Sequence, residues 1–180
     1  RWGWRFCVVG TCPGCRMSEV SQHASLSLIL ADFAMMDATG KLSVVGGGVA
    51  MLGFQPEQGL TTRISLVAIV DVPSAYLPAE CAIEVMLEQH GELVQLPGPA
   101  GPQALRIGQA TTIEKPQLPG PVSVRDQLSS RHIVVLDFGT GLPLAPGGVY
   151  NWVLQIDGDE ANRLRYPFAV AAGAIPPVIG

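Results

Sequence analysis

The stretch PLAPGGVYNWVLQIDGDEANRLRYPFAV, residues 143–170, decides the fold class. Tyr150, Trp152, Leu154 and Ile156 fall at every second position and share one face, while Asn151, Val153, Gln155 and Asp157 share the other. After a turn at Asp157-Gly158-Asp159, Leu164, Tyr166, Phe168 and Val170 alternate with Arg163, Arg165, Pro167 and Ala169. Successive strand side chains point to opposite sides, so a period of two carried by aromatic and β-branched residues marks half-buried strands. The stretch reads as one long β-hairpin.

The same period recurs upstream. His132, Val134, Leu136 and Phe138 alternate with Arg131, Ile133, Val135 and Asp137. Cys81, Ile83, Val85 and Leu87 alternate with Ala82, Glu84, Met86 and Glu88. Leu26, Leu28 and Leu30 open the series; Lys41 to Leu52, an almost wholly apolar Thr61 to Asp71, and Gln103 to Glu114 read as further strands. Between them lie turn residues: Asp37-Ala38-Thr39-Gly40, Gln89-His90-Gly91 and the Pro-rich segment Pro97 to Pro102, read as a stiff exposed loop. Pro73 to Pro78 is compatible with a short turn of helix, and Gly46-Gly47-Gly48 inside a strand predicts a bulge or a close backbone approach.

About eight strands with turns every ~8–12 residues predict an all-β fold, an antiparallel β-sandwich of immunoglobulin-like character. Its core is expected to contain Leu28, Leu30, Leu66, Val70, Val85, Leu87, Val134, Leu136, Trp152, Leu154 and Phe168. No segment keeps a helical period over three turns, which argues against a doubly wound α/β fold.

One domain suits 180 residues. The sandwich is expected over residues 25–172, with 1–24 an extension outside the fold and 173–180 a flexible tail. Hydrophobic residues make up 48% and charged residues only 14%, so much of the surface is uncharged and association is favoured. The net charge is −4 and no Lys/Arg cluster occurs, which argues against nucleic-acid binding. Asp32 and the Gly46–Gly48 run break the longest apolar stretches, so no transmembrane helix is expected.

Residues 1–16 differ from the rest, with Trp2, Trp4, Cys7, Cys12 and Cys15. The favoured reading is upstream sequence read in frame, with Met17 as the true start. Two others compete. Cys12-Pro13-Gly14-Cys15 has the spacing of a redox pair or half a zinc site, with Cys81 a distant fourth ligand or, more simply, a small apolar strand residue. Arg5 before Phe6-Cys7-Val8-Val9 resembles the start of a secretion signal, but the apolar run is short and no small-residue cleavage site follows. A cytoplasmic or virion location is favoured over secretion.

Chemistry is sparse. His23, His90 and His132 show no metal-ligand spacing and read as surface or strand-edge residues, His23 in a flexible run. Asp157, Asp159 and Glu160 share one loop and could offer oxygens to Ca²⁺, but the spacing of a calcium loop fails at Ala161, and a solvated hairpin turn is the simpler reading. Asp32 is expected to be partly buried and to cap the amides of the Asp37–Gly40 turn, a role that depresses a carboxyl pKa. No Gly-x-Ser-x-Gly elbow occurs and Cys81 has no neighbouring base. No catalytic, cofactor-binding or metal residue is assigned, and the chain reads as non-enzymatic.

The ordered motifs Leu30-Ala31-Asp32, Gly40-Lys41-Leu42, Val45-Gly46-Gly47-Gly48, Val70-Asp71-Val72-Pro73, Leu142-Pro143-Leu144 with Pro146-Gly147, Tyr150, Trp152, Ile156-Asp157-Gly158 and Pro167-Phe168-Ala169-Val170 carry a resemblance. From Ser25 to Val170 the chain resembles a family of uncharacterised bacterial proteins, common in actinobacteria and their phages, known only as a domain of unknown function. Such proteins often carry a tryptophan after the Val-Pro, where Ser74 stands here. The resemblance implies a compact stand-alone sandwich, sometimes phage-encoded, and lends no catalytic residue. The expected function is a structural or assembly subunit, of a phage particle or another multi-protein shell, with a protein partner or self-association. The alternative is a glycan- or peptide-binding module. Placing Trp152, Tyr166 and Phe168 on core faces weakens the glycan reading; a surface aromatic near Tyr76 or Phe54 would support it.

Overall fold

A computed structural model of the chain describes residues 19–98, 101–117 and 127–173. A short helix α1 (Glu19–His23) precedes β1 (Ser25–Met36), β2 (Leu42–Gly47), β3 (Met51–Leu52), β4 (Phe54–Gln55), β5 (Leu60–Thr61) and β6 (Ile64–Pro73). A 3₁₀ turn at Ser74–Tyr76 leads to β7 (Ala79–Gln89), β8 (Glu92–Leu93), β9 (Gln95–Gly98), β10 (Gly101–Ala104) and β11 (Arg106–Ile113). β12 (Ser129–Phe138), β13 (Val149–Ile156) and β14 (Leu164–Val170) complete the series. Eight of these strands have six residues or more.

The long strands form an immunoglobulin-like sandwich of two sheets. One has the order β12-β6-β1-β2 and the other β11-β7-β13-β14-β3, with β8 beside β7. All pairings are antiparallel except β14 with β3, which run parallel through Ala169↔Met51 and Val170↔Leu52. The chain makes that crossing at the triple glycine. There Gly46 has φ +64°, a left-handed conformation that favours glycine, and a Cβ on it would lie 2.1 Å from Asp32 Oδ2 and displace that carboxylate.

The alternation seen in the sequence is the inward face of each strand. Tyr150, Trp152, Leu154 and Ile156 meet Leu28, Leu30, Leu66, Val70, Val85, Leu87 and Phe168 in one core, with Val134 half-buried at its margin. Trp152 is fully buried, its ring stacked on Phe138 at 5.4 Å and on Phe168 at 6.3 Å between centroids. The Tyr150 hydroxyl accepts a hydrogen bond from the Ala145 amide at 2.9 Å. That is the tyrosine corner of such sandwiches, which fixes the loop entering β13.

Four expectations change. Residues 1–24 do not all lie outside the fold: α1 packs its Val20 into the core, so the sandwich unit includes Glu19 onward among the described residues. His23 sits in that helix rather than in a flexible run. The Pro-rich segment is not a plain loop, since β9 and β10 pair antiparallel through Pro97↔Pro102 and Gln103↔Leu96 as a separate two-stranded sheet. Asp32 is exposed and does not cap the β1–β2 turn. Asp37 does, its Oδ1 accepting from the Thr39 amide at 2.8 Å, the Thr39 hydroxyl at 2.7 Å and the Lys41 amide at 2.9 Å. The Thr39 hydroxyl, with the Lys41 amide, holds the Asp37 carboxyl below its usual pKa. Residues 1–18 and 174–180, with the readings of Cys7, Cys12, Cys15, Met17 and the tail, lie outside the described residues.

Candidate interaction surface

Both sheets turn one face to the core, and their other faces differ. On the larger sheet, Arg106↔Met86, Met86↔Val153 and Val153↔Arg165 stand in register, a row with an arginine at each end. Glu84 accepts from Arg106 Nη2 at 2.6 Å and from Gln155 Nε2 at 2.6 Å. Glu88 lies between Arg165 at 2.9 Å and Arg163 at 3.4 Å, with its side chain only 7% exposed. Long arginine stems lie along apolar surface while their heads stay polar. Met86 and Val153 are accordingly buried although they face away from the core.

On the outer face of the smaller sheet the described ion pairs stand at the ends and not across the middle, where Val67 is nonetheless fully buried. Ile29↔Val67↔Val135 is a purely apolar row across β1, β6 and β12, and in the next row Ile69↔Ile133 on β6 and β12 stand beside Ser27 of β1. Ile29, Ile69, Ile133 and Val135 are only half-buried. Ion pairs frame these rows at either end: Arg131 Nε to Asp71 Oδ1 at 2.8 Å, and Arg63 Nη2 to Asp137 Oδ2 at 3.0 Å. The Arg63 guanidinium also lies over the Phe33 ring, 5.1 Å from its centroid.

The apolar character continues onto a ribbon. Beyond Ala31, β1 has registered pairs with β2 alone, from Phe33↔Val45 to Met36↔Leu42. On it Met35, Met36 and Val45 are 48%, 43% and 61% exposed. A two-stranded ribbon is marginal in water without a packed face.

The residues singled out for chemistry are dispersed. Among the described residues, no three His, Cys, Asp or Glu side chains form a metal-ligand group. Cys81 is buried, and burial, with the Asp157 charge nearby, raises its thiol pKa to about 11, so it is not a thiolate at neutral pH. It lines an open hollow of ≈ 380 Å³ with Glu80, Thr111, Thr112 and Asp157. His90 stands in the turn lining a second hollow of ≈ 370 Å³ with Glu92 and Tyr150. His132 is half-buried on the inward side of β12; burial lowers its pKa, and its Nε2 has no hydrogen-bond partner among the described residues. Every described aromatic residue is buried or half-buried, including Tyr76 and Phe54.

The calcium reading finds its carboxylates committed elsewhere. Asp157 Oδ1 accepts from the Ala82 amide at 2.7 Å, tying the loop to β7. Asp159 is buried and accepts from the Ser21 hydroxyl at 2.9 Å, the Asn162 side chain at 2.8 Å and the Ala161 amide at 3.0 Å. These bonds, Asn162's foremost, lower its pKa. Glu160 is exposed. The Asp159–Ser21 bond anchors α1, whose His23 stacks on Tyr76 at 4.3 Å. Sequence reading missed this latch; its one local signal was the Asp159-x-x-Asn162 turn.

Comparisons with known proteins add little. No protein-family model matches the chain, and no curated protein matches it. Among solved structures, it is similar to a beta-glucosidase from Listeria innocua in complex with gluconolactone, at 7% identity and a TM-score of 0.38. The match covers 84% of this chain and 17% of that one. No helix among the described residues is long and apolar enough to cross a membrane.

Proposed function

We propose that this chain is a non-enzymatic assembly or interaction subunit that engages a protein partner, in keeping with the phage-associated bacterial family it resembles. The observation that carries this reading is the apolar outer face of the smaller sheet, with Ile29, Phe33, Ile69, Ile133 and Val135, extended by Met35 and Val45 on the β1–β2 ribbon. Contiguous apolar patches on one side of a domain mark contact surfaces. The larger sheet provides the internal control, because the same chain covers its apolar outer residues with charged ones.

Light scattering of the full chain across a concentration range, alone and with proteins encoded beside its gene, tests the proposal. We expect a mass above the monomer in at least one of these mixtures. Ile69→Lys combined with Val45→Lys should abolish it and leave the melting temperature close to wild type. A strict monomer at every concentration with no neighbouring partner would overturn the proposal.

A further inference from the structure

Resting on that reading, we infer that the partner is a second copy of this chain, joined through β12 by antiparallel pairing about a two-fold axis at Val134. Four strands bound the two sheets. β2 ends in Gly46 and Gly47, β3 has two residues, and β11 carries Gly108 with Gln109, Thr111 and Thr112. Short strands, glycine kinks and polar residues are the usual means of blunting an edge. β12 is neither short nor interrupted by glycine: its ten residues, Ser-Ser-Arg-His-Ile-Val-Val-Leu-Asp-Phe, contain no Gly, Pro or Lys, its charged side chains are Arg131 and Asp137, and among the described residues it pairs with β6 alone.

The sequence of β12 is complementary to itself. Arg131 and Asp137 stand three positions either side of Val134, and Ile133 and Val135 one position either side. All four share the outer face, in register with Asp71, Ser65, Ile69 and Val67 of β6. An antiparallel pair centred on Val134 sets Arg131 opposite the second copy's Asp137, and Ile133 opposite its Val135. Residues directly opposite on one sheet face interact most strongly. Each end of the junction becomes a row of alternating sign, Asp71, Arg131, then Asp137 and Arg63 of the second copy. The apolar row Ile29, Val67, Val135 then continues into Ile133 and Ile69 of the second copy. The side chains this needs are accessible, with Arg131 62% and Asp137 45% exposed. The contact is smaller than a standard protein interface, so the dimer dissociates on dilution.

Analytical ultracentrifugation of the full chain at low salt tests this. The wild type should dimerise reversibly. Arg131→Asp and Asp137→Arg should each be monomeric, because like charges then face each other at both ends. Mixing the two variants should restore a dimer containing one of each, since every opposed pair is again of opposite sign. If either reversal fails to fold, Arg131→Gln and Asp137→Asn are the substitutes, each expected to weaken dimerisation and flatten its salt dependence. Dimerisation of both reversal variants at the wild-type level would overturn the β12 junction while leaving self-assembly intact. A monomeric wild type would also overturn it, and the assembly reading would then rest on a different partner.

Discussion

The two sheets of this sandwich share one core and solve the problem of their outer faces in opposite ways. The larger sheet places Met86 and Val153 between arginines and holds those arginines with Glu84 and Glu88. The smaller sheet leaves Ile29, Ile69, Ile133 and Val135 half-open, and confines its ion pairs to the ends of the rows. A chain with 14% charged residues has few side chains with which to cover apolar surface. On the larger sheet they lie over apolar residues, and on the smaller they stand at the ends of the rows; the proposed contact side is the smaller sheet.

Substitutions can break or sharpen this contrast. The largest effect belongs to the shared core. Trp152→Ala should lower stability by about 3–5 kcal/mol in urea unfolding, because a fully buried indole is lost from between Phe138 and Phe168. A wild-type midpoint would show that the two sheets do not share that core. Next is the sealed face. Glu88→Ala should cost about 1–2 kcal/mol, since it strips both arginines of their acceptor but leaves them partly solvated. On the open face, a comparable change such as Ile133→Thr should alter sedimentation more than stability. Equal stability losses on both faces would erase the distinction.

The smallest effect is in pH. Burial lowers the folded-state pKa of His132, so the unfolded chain takes up that proton first. Its contribution is complete above the ordinary histidine range and declines as pH falls through that range toward the folded value. His132→Leu should flatten that decline in pH-dependent urea titrations. Asp37 and Asp159, whose pKa values are lowered, add a separate loss only as pH falls through and below the ordinary carboxylate range. A variant whose profile between neutral and mildly acidic pH matched wild type would place His132 in a solvated site.

The fold was legible because its long strands alternate without interruption: Tyr150 to Ile156, Cys81 to Leu87 and His132 to Phe138 each declare an inward face. The apolar outer face was also written in the sequence, in the near-continuous apolar run of β6, which does not say how its second face is covered. What could not be read depends on distant partners. Five residues of α1 are too few to show a helical period, and a helix that short is held by tertiary contacts rather than by propensity. Asp32 and Asp37 are both carboxylates beside a glycine-bearing turn region, and only the register of β1 against β2 decides which reaches the amides. The ion pairs of the sealed face join β7 to β11 and β14, so no local pattern announces them.

The Ser21–Asp159 hydrogen bond spans 138 positions of sequence. On a ribosome the chain emerges in order, so α1 is synthesised long before the loop that receives it. Closing so long a segment is entropically expensive, and contacts of this kind form late in folding. The first described helix is therefore among the last pieces to settle. Until the β13–β14 loop has appeared, the end of the core that Val20 covers stays open to water, and to whatever meets the nascent chain there.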